Sequence, residues 1–378
     1  MPDHSKHLEK LFSTENCQRG YLYRHTHFRG MQILITADVH LSADHPERLE
    51  ALKDVVRIAD EEKVHYLLIA GDMFDAGVDV DEVKTDIREL FSDNDFHAYV
   101  IPGNHDENAF REEDYFGDDI DVLSEQPFHQ VRLGDVNLIA VPFVDTEFGD
   151  LVDDLHEAMD EVSLNVLMLH GTLSTTTGQV FGEESRYLPF TPEQLLETGA
   201  DYVFAGHIHS SATMRSFGGD ACIFAYPGSP VSITTKETNR RGVWLFDTDA
   251  EELREIHVES SYYLNEELDL SPGEAPEKLE RLSERLSSNN LENVTLLIEP
   301  SGFIEMDAGE FFDRLNDIVS DVDAYEVRID RSAVESAKTV LDSGLYREFE
   351  RKLEEKEDVD KRAVQRIVLR ALSAEERG

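Results

Sequence analysis

The sequence predicts a layered α/β fold, and the main sign is a series of short apolar runs that alternate with helical patterns. The runs are rich in valine, isoleucine, leucine and aromatic residues and are often apolar on both faces, which is typical of buried strands. They occupy residues 31–40, 66–72, 98–106, 136–143, 164–171, 201–209, 222–229 and 242–247. After the first run, a helix is predicted over 47–62, where Leu49, Leu52, Val56 and Ala59 share one face.

Charge is the strongest compositional signal. The chain has 378 residues with 80 acidic and 35 basic side chains, a net charge of -45. High net charge can indicate disorder, but here the acidic residues are interleaved with apolar periodicity. In molar salt the Debye length falls to about 3 Å, which screens the repulsion between surface acids. Only 11 of the basic residues are lysine, so the surface resembles that of proteins from salt-loving archaea.

The lengths of the apolar runs and the N-terminal sequence predict a soluble cytoplasmic protein. No apolar run approaches the roughly 18 residues of a membrane span, and no signal-peptide pattern is present. Cys17 and Cys222 are far apart and match no metal or redox spacing, so both are predicted to be unpaired thiols. Residues 1–30 contain scattered histidines, which would allow a metal-binding tail. Their lack of periodicity favours a disordered N-terminal extension, because Met31 opens a strand directly.

Changes of pattern divide the rest of the chain into three segments. Residues 31–261 form the predicted strand-and-helix domain. Prolines and a glycine then precede an alternating strand and helix pattern, so residues 262–331 are predicted to be a smaller α/β domain. Residues 332–378 are predicted to be a helical tail with a break near 357–360.

Nearly every apolar run of the first domain ends in a side chain able to bind a metal. Because ligands of open α/β sheets bind outside the carboxyl ends of the strands, these side chains are expected to gather at one place. The seven candidate ligands are Asp38, His40, Asp72, Asn104, His170, His207 and His209. Nitrogen and oxygen donors without thiolate suit Mn²⁺, Fe²⁺ or Zn²⁺ better than Ca²⁺. Seven ligands exceed the need of one tetrahedral ion and predict two ions about 3.5–4 Å apart, with Asp72 as the bridge.

Alone, DVH and GD are weak signals, and GNHD and GHIH are moderately specific. The ordered set DVH, GD, GNHD, H and GHIH resembles the calcineurin-like metallophosphoesterases over about residues 31–250. The resemblance implies a two-sheet β-sandwich flanked by helices, with two metals at the strand ends. The residues implied for one metal are Asp38, His40, Asp72 and His209. The residues implied for the other are Asp72, Asn104, His170 and His207. His105 would act on the scissile phosphate, with Asp106 holding its imidazole.

Within that superfamily the chain is most similar to the SbcD-type DNA repair exonuclease subunits, which work with an SbcC-like ATPase. This similarity lies in residues 47–75, in residues 226–247 and in the position of the 262–331 unit. That unit resembles the DNA-capping domain. It implies a Mn²⁺-dependent DNA exo- or endonuclease in double-strand-break repair. It also implies docking of residues 341–372 on the coiled coil of the ATPase, although two helices packed on their own domain explain that pattern equally well. Relatives also pair as homodimers.

Two departures from the family pattern leave the substrate open. The loop after DVHL is short in a region that helps relatives contact DNA, and Asp75 stands where many archaeal relatives carry histidine. The alternative is a phosphodiesterase or phosphatase acting on a small nucleotide or another phosphoester. A non-catalytic scaffold is least favoured, because every ligand position and His105 are present. Arg240 and Arg241 are candidate phosphate contacts, although such a pair is more often ordinary surface charge.

Overall fold

The computed structural model describes residues 30–376 apart from 107–108, 112–113, 175–186, 211 and 358. The predicted N-terminal extension, except for residue 30, and Cys17 therefore lie outside the described residues. The chain divides into two compact units between Ser260 and Ser261. None of the helices in the described residues is both long enough and apolar enough to cross a membrane.

The first unit is built from two mixed sheets and the helices beside them. Its strands are β1 (Gln32–Thr36), β2 (Tyr66–Ala70), β3 (His97–Ile101), β4 (Ile120–Val122), β5 (His129–Leu133), β6 (Val136–Val141), β7 (Leu164–His170), β8 (Tyr202–Gly206), β9 (Thr213–Phe217), β10 (Cys222–Tyr226), β11 (Gly242–Asp247) and β12 (Glu252–His257). Its α-helices in the described residues are α1 (Pro46–Glu61), α2 (Lys84–Leu90), α3 (Phe148–Ala158) and α4 (Pro192–Thr198).

Each sheet has parallel strands at its centre and antiparallel strands at an edge. One sheet has the order β12-β11-β1-β2-β3-β4 and the other β5-β6-β7-β8-β10-β9. β1, β2, β3 and β4 pair in parallel, as do β6, β7, β8 and β10. Every residue of β6 and β7 is buried, as expected for parallel strands covered on both faces. The carboxyl ends of the central strands within each sheet therefore point the same way.

The two sheets pack face to face and share an apolar core. Ile33, Ile35 and Leu68 of the first sheet lie in one buried cluster with Met168 and Phe204 of the second. Two further clusters fill the outer layers, one under α1 and one under α3 and α4. This arrangement confirms the predicted two-sheet sandwich flanked by helices.

The second unit is a small α/β layer followed by helices. Its elements in the described residues are β13 (Tyr262–Leu270), α5 (Ala275–Ser287), β14 (Leu291–Ile304), α6 (Ala308–Ser320), β15 (Ala324–Ile329), β16 (Val334–Ser336), α7 (Lys338–Asp342), α8 (Gly344–Glu354) and α9 (Lys361–Glu376). The amphipathic faces of α5 and α6 bury Leu282 and Phe311 against β14 residues such as Leu296. α8 ends before the predicted break at 357–360 and α9 begins after it. The separation of this unit into a capping domain and a docking tail stays a prediction.

Sequence reasoning misses several peripheral elements. β9 is exposed along most of its length and β12 exposes four of its six residues, so neither has the apolar run on which the strand predictions relied. β13 is also missed, because Asn265, Glu266 and Glu267 interrupt its apolar pattern. α4 does carry a usable signal, a capping box between Thr191 and Gln194.

Replacing Phe204 with alanine tests the core between the sheets. Phe204 is fully buried, with its ring centroid 5.9 Å from that of Phe246. We expect the free energy of unfolding to fall by about 3–5 kcal/mol, since a large cavity would open. Denaturant unfolding in molar KCl measures it. Met214→Ala on β9, where the side chain is 52% exposed, should change it by less than about 0.5 kcal/mol. Equal effects of the two substitutions would contradict the described packing.

Candidate metal centre

The predicted ligands follow the carboxyl ends of strands from both sheets. Asp38 and His40 come after β1, Asp72 after β2 and Asn104 after β3. In the second sheet, His170 ends β7, and His207 and His209 follow β8. Because the two sheets pack face to face, their strand ends meet, and the structure brings all seven side chains together in two adjoining groups.

The first group contains Asp38, His40, Asp72 and His209. One ligand atom from each lies within 4.8 Å of every other. The Nε2 atoms of His40 and His209 are 3.0 Å apart, and His40 Nε2 is 3.7 Å from Asp72 Oδ2. Converging imidazole nitrogens beside two carboxylates fit a divalent transition-metal ion.

The second group contains Asp72, His170 and His207, with Asn104 between them. The ligand atoms of the first three also lie within 4.8 Å of one another. Asn104 Oδ1 is 3.0 Å from His170 Nε2 and 3.1 Å from His207 Nδ1. His170 Nε2 is 3.4 Å from Asp72 Oδ2. Asp72 therefore belongs to both groups, which is the position that a bridging carboxylate requires.

Four of these ligands have left-handed backbone conformations. The φ angles are 54° at Asp38, 52° at His40, 49° at Asp72 and 91° at His207. Such conformations cost about 1–3 kcal/mol each in residues other than glycine and persist only where the surroundings impose them. Here the backbone N–H of His207 donates to both oxygens of Asp38 at 2.9 and 3.1 Å. The clustering of strain at the ligands supports a functional role.

Two glycines allow the strand ends to approach closely. A Cβ atom at Gly103 would lie 2.2 Å from Oδ1 of Asp72, and one at Gly206 would lie 1.9 Å from the carbonyl oxygen of Ala70. Any other residue would push these loops apart, so glycine is needed at both positions.

Burial and mutual attraction shift the acidities of the buried ligands. Burial raises the pKa of Asp38 to about 6, against the opposing influence of His209 and His170. Burial alone would raise the pKa of Asp72, but the neighbouring His170 and His40 bring that pKa well below its ordinary value. Burial also disfavours charged His170, yet Asp72 and Asp38 raise its pKa to about 9. Bound protons thus offset the negative charge of the buried carboxylates. A divalent cation bound by the same side chains would displace those protons.

The Nδ1 atom of His209 faces a buried carboxylate, Glu237, which is not among the residues predicted from the sequence. His209 Nδ1 is 3.3 Å from Oε1 of Glu237. Glu237 also accepts hydrogen bonds from the backbone N–H groups of Ile233 at 2.7 Å and Thr234 at 3.2 Å. Carboxylates in this position orient metal-binding histidines and fix their tautomer. No spacing in the sequence ties Glu237 to His209, because a loop folded back on itself makes the contact.

Arg241 does not have the placement expected of a phosphate contact. Its side chain is 1% exposed and donates to the carbonyl oxygens of Ser229, at 2.9 Å, and of His209. Burial lowers its pKa. The structure thus places Arg241 beneath the His209 loop, where a substrate cannot reach it. Arg240 is exposed, and its predicted phosphate contact stays a prediction.

Asp106 also differs from its expected role as the partner of His105. Oδ2 of Asp106 accepts from the backbone N–H groups of Gly103 at 2.9 Å and Met73 at 3.1 Å, and Oδ1 accepts from Phe74 at 2.9 Å. Asp106 therefore ties the loops after β2 and β3 together. Burial raises its pKa to about 7. The carboxylate that lies beside His105 Nδ1 is Asp75, at 3.9 Å.

Residues 31–211 match the family model described as calcineurin-like phosphoesterase. The chain is 24% identical over 204 residues to the uncharacterized metallophosphoesterase YhaO of Bacillus subtilis, a match that covers 52% of this chain and 48% of that protein. The chain thus spans about half the length of this curated relative. Over residues 31–211, the segment that holds the metal centre, the chain is therefore similar to the calcineurin-like phosphoesterases.

Two solved structures match a comparable part of the chain. TT1561 of Thermus thermophilus is 13% identical with a TM-score of 0.40, covering 61% of this chain and 99% of its own. A dimetal phosphatase from Danio rerio is 9% identical with a TM-score of 0.39, covering 60% of this chain and 96% of its own. At these TM-scores the neighbours add nothing to the family match.

The shared position of Asp72 leads to a prediction about metal stoichiometry. We expect the wild-type chain to bind two Mn²⁺ ions, since two ligand groups adjoin. His207→Ala should remove one ion, whereas Asp72→Asn should weaken both. Equilibrium dialysis followed by elemental analysis measures the ions bound per chain. Asp81→Asn, at an exposed position, is the matched control and should retain both. Two tightly bound ions in Asp72→Asn would contradict the shared role.

Glu237→Gln tests the contact behind His209. We expect Mn²⁺ affinity to fall about 10- to 100-fold, because the histidine loses the anion that orients it. Isothermal titration of the metal measures the affinity, and thermal unfolding checks that the fold is kept. Glu197→Gln, on the exposed side of α4, should leave the affinity unchanged. A Glu237→Gln variant with wild-type Mn²⁺ affinity would show that Glu237 does not support the metal centre.

Proposed function

We propose that this chain, whose residues 31–211 match the calcineurin-like phosphoesterases, is a DNA nuclease of the SbcD type that uses two Mn²⁺ ions. In this proposal it acts in double-strand-break repair in the cytoplasm of a salt-loving archaeon. The observation that carries the metal-dependent hydrolysis is the pair of ligand groups that share Asp72. The family match supports phosphoester hydrolysis, and the choice of DNA and of manganese is the proposed step beyond it.

The residues of the centre suit an anionic phosphodiester. Bound divalent ions would polarise the phosphate and lower the pKa of an attacking water. Asn104 is neutral, so it contributes an oxygen without adding repulsion to the substrate. His105 follows it directly, and its side chain is 34% exposed, so it can reach a bound phosphate from the solvent side. There its imidazole can stabilise developing charge or protonate the leaving oxygen.

The acidic chain is compatible with DNA binding at high salt. Attraction between phosphates and basic residues weakens steeply as the salt concentration rises. A protein of net charge -45 would then rely on metal–phosphate contact, backbone donors and shape. The second unit, a small α/β layer placed after the metal-binding unit in the chain, supports DNA over a small substrate because it resembles the capping domain of the SbcD type.

Two exposed apolar side chains support the proposed ATPase partner. Leu345 of α8 is 66% exposed and Ile367 of α9 is 69% exposed. A helix that packs into an apolar groove of a partner uses side chains of this kind as its anchors. In this proposal residues 341–372 dock on the coiled coil of an SbcC-like ATPase.

A second candidate function is hydrolysis of a small nucleotide diester. The observation that favours it is the short connection after the first ligands, since β1 ends at Thr36 and α1 begins at Pro46. A short loop there offers little surface to a duplex. The same metal centre would serve this reaction, so only the substrate differs between the two candidates.

Cleavage of end-labelled linear duplex DNA in molar KCl with Mn²⁺ tests the proposed function. We expect the wild-type protein to degrade the duplex, and His105→Ala to lose about 10²–10⁴-fold in rate, the usual contribution of a general acid or base. A chelated sample should be inactive. The His105→Ala variant should keep both metals, because His105 is not among the seven ligands.

A nucleotide diester assayed under the same conditions separates the two candidates. Rapid hydrolysis of the diester with intact DNA would establish the small-substrate enzyme. Inert DNA and inert diester, with a coiled-coil ATPase partner and ATP present, would overturn both.

A further inference from the structure

We propose that Arg241 is a positioning residue for the metal ligand His209, a role that rests on the two-metal centre of the proposed function. Three ligands of the first group follow strands of the first sheet, whereas His209 follows β8 of the second. An ion bound by all four therefore needs the two sheets to be held at a fixed distance at this point. Arg241 directly precedes β11, a strand of the first sheet, and its side chain reaches the His209 loop.

The backbone of Arg241 is fixed in the first sheet, close to where the other ligands begin. β11 runs antiparallel to β1, with Trp244 opposite Ile35. The chain just before β11 therefore lies toward the carboxyl end of β1, which Asp38 follows. The carbonyl oxygen of Arg241 accepts a hydrogen bond from the backbone N–H of Val258, just after β12, at 2.9 Å. The side chain thus extends from a firmly paired part of the sheet.

The guanidinium of Arg241 holds two loop carbonyls at once. Nη2 donates to the carbonyl oxygen of His209, and Nε donates to that of Ser229 at 2.9 Å. Nη2 also lies 3.1 Å from Oγ of Ser229. A planar fork with several fixed donors suits this pair of acceptors, whereas the ammonium of lysine is a compact point charge. The backbone of His209 is thus tied to the first sheet through one side chain.

Arg241 and Glu237 together hold His209 at two points. Glu237 Oε1 faces Nδ1 of the imidazole at 3.3 Å, and Glu237 Oε2 lies 3.3 Å from Oγ of Ser229. The carboxylate orients the ring, while the guanidinium fixes the backbone from which the ring projects. The direction and the position of Nε2 of His209, which lies 3.0 Å from Nε2 of His40, are therefore both set.

The burial of Arg241 is costly, which indicates that its contacts serve a purpose. Arg241 is 1% exposed, and within the described residues its Nη1 is buried without a hydrogen-bond partner. An unpaired buried donor costs free energy that an apolar side chain of similar volume would not. The surrounding loop is closely packed, since a Cβ atom at Gly228 would lie 2.0 Å from the carbonyl oxygen of Ser210 and 3.4 Å from Nη2 of Arg241. An apolar side chain would fill this place but could not hold His209 by its carbonyl oxygen.

Isothermal titration with Mn²⁺ tests this role in Arg241→Gln and Arg241→Lys. We expect the binding event that His209→Ala also weakens to lose about 10- to 100-fold in affinity, with the other event unchanged. Lysine keeps the charge but lacks the fork, so Arg241→Lys should not restore the affinity. Adding Arg241→Gln to His209→Ala should have no further effect. Arg57→Gln, which removes an exposed positive charge from α1, should bind Mn²⁺ as the wild type does.

Three results of the titrations would overturn the inference. They are unchanged affinity in Arg241→Gln, equal weakening of both binding events, and wild-type affinity in Arg241→Lys. Thermal unfolding of each metal-free variant checks that the fold is kept. If the wild type binds two ions but leaves DNA intact, the nuclease proposal fails, and the titrations still decide the role of Arg241.

Nitrogen-15 spectra of the arginine side chains give a second readout, which begins with the wild-type protein. Guanidinium groups held by buried acceptors exchange their protons slowly with water, and the buried arginines of the described residues are Arg48 and Arg241. We expect at least two slowly exchanging side chains in the wild type, one of which remains in Arg48→Lys and is lost in Arg241→Lys. Fewer than two in the wild type, or none in Arg48→Lys, would overturn the inference even if Arg241→Gln does not fold.

Discussion

The carboxylate of Asp72 is the constraint on which the rest of the centre depends. It is 1% exposed and lies within reach of His40 on one side and His170 on the other. A buried anion is costly unless positive charge surrounds it. His170 of the second sheet, whose pKa is raised by the neighbouring carboxylates, supplies that charge in the protein alone, and divalent ions would supply more of it. The position of Asp72 thus requires that the carboxyl ends of the two sheets meet.

The backbone conformation allows the carboxyl ends of the two sheets to come together. Left-handed conformations at Asp38, His40, Asp72 and His207 turn the chain sharply after three strands. Gly103 and Gly206 remove the side chains that would hold the loops apart. The carboxylate of Asp106 then joins the loops after β2 and β3. Hydrogen bonds and core packing offset the backbone strain. The strained conformations would hold the ligands in place before the metal ions bind.

Local pattern allows the ligands and the layered α/β class to be predicted, whereas the two-sheet sandwich is implied by the resemblance to a known family. Buried parallel strands appear as apolar runs, and the strand-end rule then gathers residues as distant as Asp38 and His209. The partners behind the ligands depend instead on how loops fold over one another. Asp106 stands next to His105 in sequence but bonds to backbone, whereas Asp75 approaches His105 from another loop. Arg241 looks like surface charge, but burial beneath the His209 loop gives it a supporting place.

Diffraction from crystals soaked in Mn²⁺, recorded at a wavelength with strong manganese anomalous scattering, tests the central claim most directly. The account predicts two anomalous peaks about 3.5–4 Å apart, with the carboxylate of Asp72 between them. His40 and His209 would lie at one peak, and Asn104, His170 and His207 at the other. A single peak, or two peaks neither of which touches Asp72, would contradict it.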